Sequence, residues 1–242
     1  MYKKTSIIIL AHKEPEKFKK MFETLLKHTH QKETPFEIIV VDNNCDIEIR
    51  KYVLKKHFNG RIAAVLNVEG ENLGTSKGFN RGVKETTGYY LCFFNSDYYM
   101  IDNWLKRMID CFEHQSNIGA ISCCTNASGN EDEKVEMVIK DNKYVLRAEN
   151  EYKQTECCLA QIFTTKKIFE EVDGFDEQYY PITFEDLDFS EKLKAKGYKL
   201  FVNKKCFGYH DYEPNKETGR EEIKARNRKL FYEKWGIKHK WA

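Results

Sequence analysis

Short apolar segments alternate with longer amphipathic segments through the first half of this sequence. The apolar segments have the length of β-strands and are rich in β-branched residues, whereas the segments between them repeat apolar residues at helical spacing. A helix between two strands returns the chain to the same end of the sheet, so such strands pair in parallel through right-handed crossovers. The alternation predicts an α/β fold with a doubly wound, mostly parallel sheet and helices on both faces.

The elements predicted from these patterns differ between the two halves of the chain. In the first half we predict strands at residues 6–11, 36–41, 62–67, 89–94 and 118–124, and helices at 15–30, 48–58, 75–86 and 104–112. In the second half we predict a hairpin around 134–146, a strand at 157–165, a helix within 175–197, strands at 198–202 and 206–209, and a charged helix at 221–235. No linker divides the chain, so residues 1–242 are predicted to form one domain.

Charge and hydropathy exclude several classes of protein. Lys and Arg total 40 against 38 Asp and Glu, and a net charge of +2 does not suggest a dedicated nucleic-acid binder. The longest apolar runs, residues 7–11 and 38–41, are far shorter than the roughly 20 residues of a membrane-spanning helix. The N-terminus lacks the apolar core and cleavage site of a signal peptide. We therefore expect no transmembrane segment and no secretion.

The cysteines indicate a reducing compartment. The chain has 8 Cys, including the adjacent pairs Cys123–Cys124 and Cys157–Cys158, and none in CxxC spacing. This pattern argues against a zinc ribbon and predicts buried, reduced thiols. We therefore expect a cytoplasmic protein.

Polar residues follow three of the predicted strands, at the sheet edge where ligands bind in doubly wound folds. Asp97, in the triplet Asn95-Ser96-Asp97, can reach a divalent cation, because carboxylate oxygen suits magnesium or manganese. Asp42 can accept a hydrogen bond from a base or ribose, and His12 can stack on a base. Since Asn, Ser and Asp also favour turns, ordinary strand-end turns remain the alternative.

Three acids and a histidine in the second half are further candidates. On a helix, Glu185 and Asp188 share a face while Asp186 points about 100° away, so the cluster can serve two sites. The alternative for Asp186 is a capping box with Thr183, three residues earlier. His210 ends a predicted strand and is either a metal ligand or a structural histidine.

Small residues recur through the junction between the third strand and its helix. The run is Asn72-Leu73-Gly74, followed by Gly78, Asn80 and Gly82. Glycine in such a place lets the backbone approach a phosphate or ribose, and helix packing explains the same spacing equally well.

In this order, the motifs resemble those of the family 2 glycosyltransferases, which have the GT-A fold. The matching segments are residues 5–12, 39–44, 72–82, 93–97, and 174–188 with 197–198 and His210. The likeness extends over residues 5–210. The resemblance implies a nucleotide-binding half at 1–100, an acceptor-binding and catalytic half with a smaller antiparallel region at 101–210, and a helical extension at 211–242.

The resemblance also implies a role for each matched residue. Contacts to the donor nucleotide, most often a uridine diphosphate sugar, are expected from Ala11, His12, Asp42, Gly74, Asn95, Ser96 and Asp97. The divalent cation, Mn²⁺ or Mg²⁺, is expected on Asp97 and His210. Asp186 matches the catalytic base, and Glu185 and Asp188 are expected on the acceptor side.

The implied activity is that of an inverting, hexosyltransferase-like enzyme of glycan or polysaccharide biosynthesis. The acceptor hydroxyl would belong to a glycan, a lipid-linked molecule or a protein, and nucleic acid is not an expected partner. The C-terminal segment is predicted to be a solvated helix, and its basic residues leave peripheral contact with a membrane open; they are Arg226, Arg228, Lys229, Lys234, Lys238 and Lys240.

Three residues depart from the family pattern. Asn95 replaces the first acid of the Asp-x-Asp motif, His12 replaces a tyrosine, and Lys192 replaces an arginine. Because Asn95 brings no charge, a catalytically degenerate nucleotide-sugar binding module is the alternative function. A nucleotidyltransferase is disfavoured, because residues 11–15 lack the glycine-rich phosphate loop of those enzymes.

Overall fold

The computed structural model describes residues 2–67, 70–101, 103–135, 137–140, 143–146, 151–211 and 219–237. Its strands are β1 (Thr5–Ala11), β2 (Phe36–Asp42), β3 (Ala64–Asn67), β4 (Tyr90–Phe94), β5 (Tyr98–Met100), β6 (Ile118–Thr125), β7 (Met137–Lys140), β8 (Lys143–Leu146), β9 (Tyr152–Thr155), β10 (Phe163–Thr165) and β11 (Lys199–His210). Its helices are α1 (Pro15–His28), α2 (Ile47–Phe58), α3 (Gly74–Val83), α4 (Trp104–His114), α5 (Lys166–Glu171), α6 (Glu185–Ala195) and α7 (Arg220–Trp235). Within the described ranges, no helix combines the length and the apolar composition that crossing a bilayer requires.

Nine strands form one mixed sheet in the order β3-β2-β1-β4-β10-β6-β11-β5, with β9 also paired to β11. β1 to β4 are parallel to one another, and β6 is parallel to β11. β10 lies antiparallel between β4 and β6, so those two strands run in the same direction. The predicted doubly wound, mostly parallel sheet is confirmed. Its three antiparallel strands, β5, β9 and β10, all follow β4 in the chain.

Helices cover both faces of the sheet. Neighbouring residues of a strand point to opposite faces, so each strand contributes side chains to both layers of helices. Ile7 and Ile9 of β1 are buried with residues of α1, α2 and α4. Ile8, between them, is buried with residues of α3, α5 and α6. A strand buried on both faces must be apolar throughout, which explains the continuous apolar run in β1.

Two glycines of the small-residue run let α3 lie close to the sheet. A Cβ added at Gly78 would come within 2.9 Å of a methyl group of Leu10, and one at Gly82 within 2.4 Å of Ile8. For these two positions the helix-packing explanation is therefore the right one.

Several elements of the second half differ from their prediction. Strands β5 and β9 and helix α5 were not predicted, and the strand expected at 157–165 is only Phe163–Thr165. The two short strands expected at 198–202 and 206–209 are one strand, β11, whose register against β6 shifts between Asn203 and Phe207. A bulge of this kind lets polar residues interrupt the apolar pattern without ending the strand.

The cysteines are all buried and free, as predicted from their spacing. Burial raises the pKa of Cys111 and of Cys124 to about 12. A thiol that stays protonated is a poor nucleophile, so these cysteines act as small apolar core residues.

Candidate active site

The carboxyl ends of β1, β2 and β4 lie side by side and define one edge of the sheet. Ala11 is paired with Asp42, the last residue of β2, and Ile9 is paired with Phe94, the last residue of β4. The loops that follow these strands therefore leave the sheet together, and we call this side the carboxyl edge.

A network of side-chain amides joins the carboxyl edge to the start of α3. Asn43 accepts a hydrogen bond from the backbone of Leu73 (2.7 Å), and Asn72 accepts one from the backbone of Gly74 (2.8 Å). The Asn43 amide also donates to Asn72 (3.0 Å). His12 closes the network, because its Nε2 lies 3.3 Å from the Asn72 amide and its Nδ1 lies 3.0 Å from the Asn43 carbonyl. The predicted nucleotide-binding residues His12 and Gly74 are thus held by one network.

The Asp42 carboxylate is buried and already has partners. Arg50 donates to both of its oxygens, at 2.6 and 3.3 Å, and the backbone of Cys45 donates to Oδ1 at 2.9 Å. Burial raises the pKa of Asp42, but the hydrogen bonds and the charge of Arg50 outweigh burial and lower it overall. These contacts fix the loop after β2, so contact of Asp42 with a base or ribose stays a prediction.

Asp97 and His210 are brought together by strand pairing. β5 pairs with the end of β11, and Tyr98 lies opposite His210. The Asp97 Oδ2 and the His210 Nε2 are 3.1 Å apart, and the backbone of Asp211 donates to the Asp97 carbonyl at 2.9 Å. The two predicted metal ligands therefore meet at the carboxyl edge, although 113 residues separate them.

The His210 ring is held in one orientation. Its Nδ1 lies 3.0 Å from the Ala127 carbonyl, and its face stacks on Tyr98 with 4.3 Å between ring centroids. A proton on Nδ1 that is donated to Ala127 leaves the Nε2 lone pair for a metal ion, as in many metal sites. Burial lowers the pKa of His210, but the hydrogen bond and charge of Asp97 outweigh it and raise the pKa overall.

Asp97 and His210 are two side chains that could hold a divalent cation. Among the residues that the structure describes, no group of three or more His, Cys, Asp or Glu side chains gathers to hold a metal. Asp97 and His210 supply one carboxylate oxygen and one imidazole nitrogen, and Asn95 beside them is exposed and uncharged. Metal ions bound to nucleotides commonly take their remaining ligands from phosphate oxygens and water.

Glu133 anchors the segment that carries Ala127. Its carboxylate is fully buried and accepts hydrogen bonds from Ser128 Oγ (2.5 Å) and from the backbone of Leu159 (2.7 Å) and Ala160 (3.2 Å). Burial raises the pKa of Glu133 to about 7. A buried acid without a cationic partner is stable when protonated.

The predicted base, Asp186, lies in the first turn of α6 and is half-buried. Burial raises the pKa of Asp186 to about 6. Glu185 is buried, and its burial together with the charge of Asp186 holds its pKa well above the usual value. Both acids therefore keep their protons to a higher pH than exposed carboxyl groups do.

The chain enters α6 in a strained conformation. Thr183 and Phe184 have φ angles of +82° and +73°, which non-glycine residues rarely adopt. Asn227 of α7 donates to the carbonyls of Ile182 (2.9 Å) and Thr183 (3.1 Å) and so holds this entry. The N-cap of α6 is Phe184 and not Thr183, and the Asp186 carboxylate accepts a hydrogen bond from the backbone of Leu187 (2.8 Å), so the capping box of Thr183 with Asp186 is wrong.

Hydrogen bonds bring the entry to α6 to the carboxyl edge. The backbone of Thr75, in the first turn of α3, donates to the Pro181 carbonyl (2.7 Å), and the Tyr180 hydroxyl donates to the Asn72 carbonyl (3.2 Å). A Cβ at Gly74, whose φ is +71°, would lie 2.7 Å from that same Pro181 oxygen, so glycine is required there. α6 then packs on β6 and β11 and turns into the start of β11, so its first turn points toward the end where β11 stops.

Asp188 is closed off from solvent between α6 and α7. Its side chain is fully buried and contacts Trp235 Nε1 (2.8 Å), Lys234 Nζ (2.7 Å) and the Tyr179 hydroxyl (3.2 Å). These contacts join α6 to α7, so the expectation of an acceptor-side Asp188 is replaced by a structural role. Asp186 and Asp188 point to different sides of the helix, as predicted, and therefore Asp188 is fully buried against α7 while Asp186 is only half-buried.

The C-terminal helix is less solvated than its charge predicts. Asn227 and Phe231 are buried, and the Phe231 ring lies 5.6 Å from that of Phe184. The expectation of a fully solvated helix is therefore wrong for this face of α7. Lys238 and Lys240 lie outside the described residues.

A crevice of about 680 Å³ lies on the other side of α6. It is lined by Asn80, Glu171, Val172, Asp173, Phe175, Asp176, Glu177, Lys192, Ala195, Lys196, Lys234 and Trp235. Lys192 donates to the Gly174 carbonyl at 2.9 Å, so its amine is already engaged at this crevice. Asp97, Asp186 and His210 are not among the residues that line this crevice.

Several residues that organise the site have no predicted role. Asn43 and Asn72 lie inside the matched motifs, and the frequent use of asparagine at the end of a strand or before a helix is the signal that could have indicated them. The contribution of Ala127 is a backbone carbonyl, which any residue provides, so no sequence signal indicates it.

Comparisons with known proteins agree with this fold. A family model described as glycosyl transferase family 2 matches residues 6–173. No curated protein matches the chain. The crystal structure of GalNAc-T7 with UDP, GalNAc and Mn²⁺ is similar over 97% of this chain and 48% of its own, with a TM-score of 0.76 at 16% identity.

Two further structures are similar over most of the chain. TarS 1–349 of S. aureus matches 86% of this chain and 60% of its own, with a TM-score of 0.61 at 19% identity. The mannosyltransferase PcManGT from Pyrobaculum calidifontis, in complex with GDP-Man and Mn²⁺, matches 89% of this chain and 59% of its own, with a TM-score of 0.65 at 12% identity. The chain thus spans about half to three fifths of the length of these structures.

The fold is that of the GT-A glycosyltransferases, as the resemblance implied. Since the family model covers more than half of the sequence, the chain belongs to glycosyl transferase family 2.

The burial of Glu133 predicts a pH dependence of stability. Its pKa of about 7 in the folded state exceeds the usual value of 4.5, so the unfolded chain loses this proton first as pH rises and the fold loses stability between about pH 4.5 and 7. The loss should be about 3 kcal/mol. Glu133→Gln has no carboxyl proton to lose. Its free energy of unfolding in urea should therefore rise relative to that of wild type between pH 5 and pH 8. Glu131→Gln, an exposed neighbour, is the control; a constant difference between Glu133→Gln and wild type contradicts the assignment.

Removal of the Asp188 carboxylate should loosen α7. Asp188→Ala removes the buried acceptor of the Trp235 indole and one of the two carboxylates that pair with Lys234, so we expect a loss of about 1–3 kcal/mol. Chemical unfolding measures the loss, and limited trypsin digestion should cut α7 faster. Glu233→Ala, which removes an exposed acid of α7, is the matched control. Equal unfolding midpoints for the two variants would show that Asp188 does not hold α7.

Proposed function

We propose that this protein transfers a sugar from a nucleotide-diphosphate sugar to an acceptor hydroxyl, with inversion and with a divalent cation. The observation that carries the proposal is the contact of Asp97 with His210, a 3.1 Å pair with a fixed ring orientation at the carboxyl edge. Membership of glycosyl transferase family 2 supports the reaction class.

The donor is proposed to lie along the carboxyl edge. His12, Gly74 and the loop from Asn95 to Asp97 start from adjacent strands there, so a nucleotide can contact all of them. A divalent cation bound by Asp97 and His210 would offset the negative charge that develops on the departing diphosphate, an effect worth several kcal/mol. GalNAc-T7 was crystallised with UDP and Mn²⁺ and TarS with UDP, which supports a uridine diphosphate donor.

Asp186 is proposed as the general base. With a pKa of about 6, most of its carboxylate is ionised at neutral pH and can take the proton of the acceptor hydroxyl. Positioned proton transfer of this kind contributes about 10²–10⁴-fold to the rate. One base is enough for a single displacement, which inverts the anomeric carbon, whereas retention by double displacement needs a nucleophile as well. We assign no nucleophile, because the neighbouring Glu185 is buried and burial holds its pKa well above the usual value.

The wider setting is also proposed. The acceptor belongs to a glycan, a lipid-linked molecule or a protein, and the reaction to glycan or polysaccharide synthesis in the cytoplasm. Eight free, buried thiols support a reducing compartment.

A catalytically degenerate nucleotide-sugar binding module is the second candidate. It is favoured by Asn95, which gives the site one carboxylate fewer than the family pattern. Detection of free nucleoside diphosphate, released from a panel of sugar donors in the presence of Mn²⁺, separates the two functions. Binding without release supports the module.

Asp186→Asn should abolish transfer and leave nucleotide binding nearly intact. The amide keeps the shape of the side chain but cannot accept the proton, so the transfer rate should fall at least a hundredfold. Nucleoside diphosphate release and calorimetric binding measure the two effects. Asp173→Asn, an exposed acid at the crevice, should be fully active. Normal turnover by Asp186→Asn excludes Asp186 as the base.

Asp97→Ala should weaken nucleotide binding only when the cation is present. In calorimetry with Mn²⁺, the UDP affinity should fall at least tenfold, because a charged ligand of the ion is lost. With EDTA, wild type and variant should bind UDP equally. Asp46→Ala, an exposed acid at the start of α2, is the control. Unchanged affinity in the presence of Mn²⁺ removes Asp97 from the metal site.

A further inference from the structure

The outer face of α2 carries three large apolar side chains in one stripe. Ile47, Leu54 and Phe58 are 58%, 40% and 82% exposed, and their spacing of seven and four residues places them on the same side of the helix. The opposite side of α2, with Ile49 and Val53, is buried in the core. A surface helix of a globular protein normally has one apolar face, so the apolar stripe has no role in the fold described above.

Positive charge is concentrated on the same helix. α2 has four basic residues and one acidic residue, a formal charge of +3, whereas the whole chain carries only +2. Arg50 and Lys56 form ion pairs with Asp42 and Glu23. Lys51 lies within the stripe, and Lys55 lies beside it; both are exposed.

The dimensions of the stripe decide between a protein and a lipid partner. A helix of 12 residues is about 18 Å long, and three apolar side chains cover far less than the roughly 800 Å² that each partner buries in a stable protein complex. An interfacial helix, in contrast, inserts an apolar face only about 5–10 Å deep and gains the rest of its affinity from basic residues on anionic lipid.

We propose that α2 docks this protein on an anionic lipid bilayer. Ile47, Leu54 and Phe58 enter the headgroup region, and Lys51 and Lys55 contact the negatively charged headgroups. The proposal goes beyond the glycosyl transfer proposed above and does not depend on it.

This docking sets the orientation of the carboxyl edge. α2 begins five residues after Asp42, at the carboxyl edge, and runs back along the sheet to the start of β3. When α2 lies flat on the bilayer, the strands run roughly parallel to the membrane plane. The candidate active site then opens along the lipid surface.

Vesicle flotation tests the docking. The full chain is mixed with vesicles of phosphatidylcholine alone or with about a third phosphatidylglycerol, at low and high salt. We expect association with the anionic vesicles, at least tenfold weaker association with the neutral ones, and a marked decrease at high salt because the charges are screened.

Two double variants address the two parts of the surface. Leu54→Ser with Phe58→Ser, and Lys51→Glu with Lys55→Glu, should each lower association with anionic vesicles at least tenfold. Their matched controls lie elsewhere on the surface: Ile237→Ser for the apolar change, and Lys84→Glu with Lys167→Glu for the charge reversal. The controls should float like wild type. All substituted side chains are exposed, and thermal unfolding checks that each variant is folded.

Phe58→Trp provides an independent readout. Its tryptophan emission should shift to shorter wavelength when anionic vesicles are added, and brominated lipid should quench it, as expected for an indole that has entered the bilayer.

Three results would overturn the proposal. The first is that wild type does not float with anionic vesicles at low salt. The second is that the control variants lose as much vesicle association as the α2 variants. The third is that light scattering shows a dimer for wild type and a monomer for the variant with Leu54→Ser and Phe58→Ser, while neither associates with vesicles. In that case α2 is a protein interface.

Discussion

The antiparallel pairing of β5 with the last residues of β11 is the contact on which the candidate site depends. It places Asp97 beside His210, and the stacked Tyr98 ring and the Ala127 carbonyl then fix the direction of the imidazole. Since β11 also pairs in parallel with β6, the histidine is tied to the main sheet and not to a free loop. Such support matters because a metal ligand must hold its orientation before the ion arrives.

A second set of contacts supports the proposed base from the C-terminal side. Asn227 holds the carbonyls of Ile182 and of the strained Thr183, and buried Asp188 holds Lys234 and Trp235 of α7. Backbone strain of this kind persists only where its surroundings fix it, and it is often found at functional sites. The acidic cluster therefore has two roles: buried Asp188 secures α7, which holds the entry to α6, and Asp186 is the proposed base in the first turn of α6.

Much of the fold and part of the site could be predicted from local patterns. The alternation of strands and helices specified the parallel half, and the motif order indicated Asp97, Asp186 and His210. Strand β5 was missed because three residues give no periodic signal, and its stability comes from a partner more than a hundred residues away. Asp188 was misassigned because an acid in a helical pattern gives no sign of whether α7 covers it.

The sequence by itself determined the strands β1 to β4 and the helices between them, since apolar periodicity follows from burial on one or both sides of each element. It also determined the identity of the groups available for chemistry, including the missing charge at Asn95. Only the tertiary structure decided which groups meet: the Asn43 and Asn72 network, the anchoring of Glu133, and the exposure of Ile47, Leu54 and Phe58 on α2. The physical reason is that contacts between distant residues depend on how the elements pack, and that packing is not encoded in any local window of the chain.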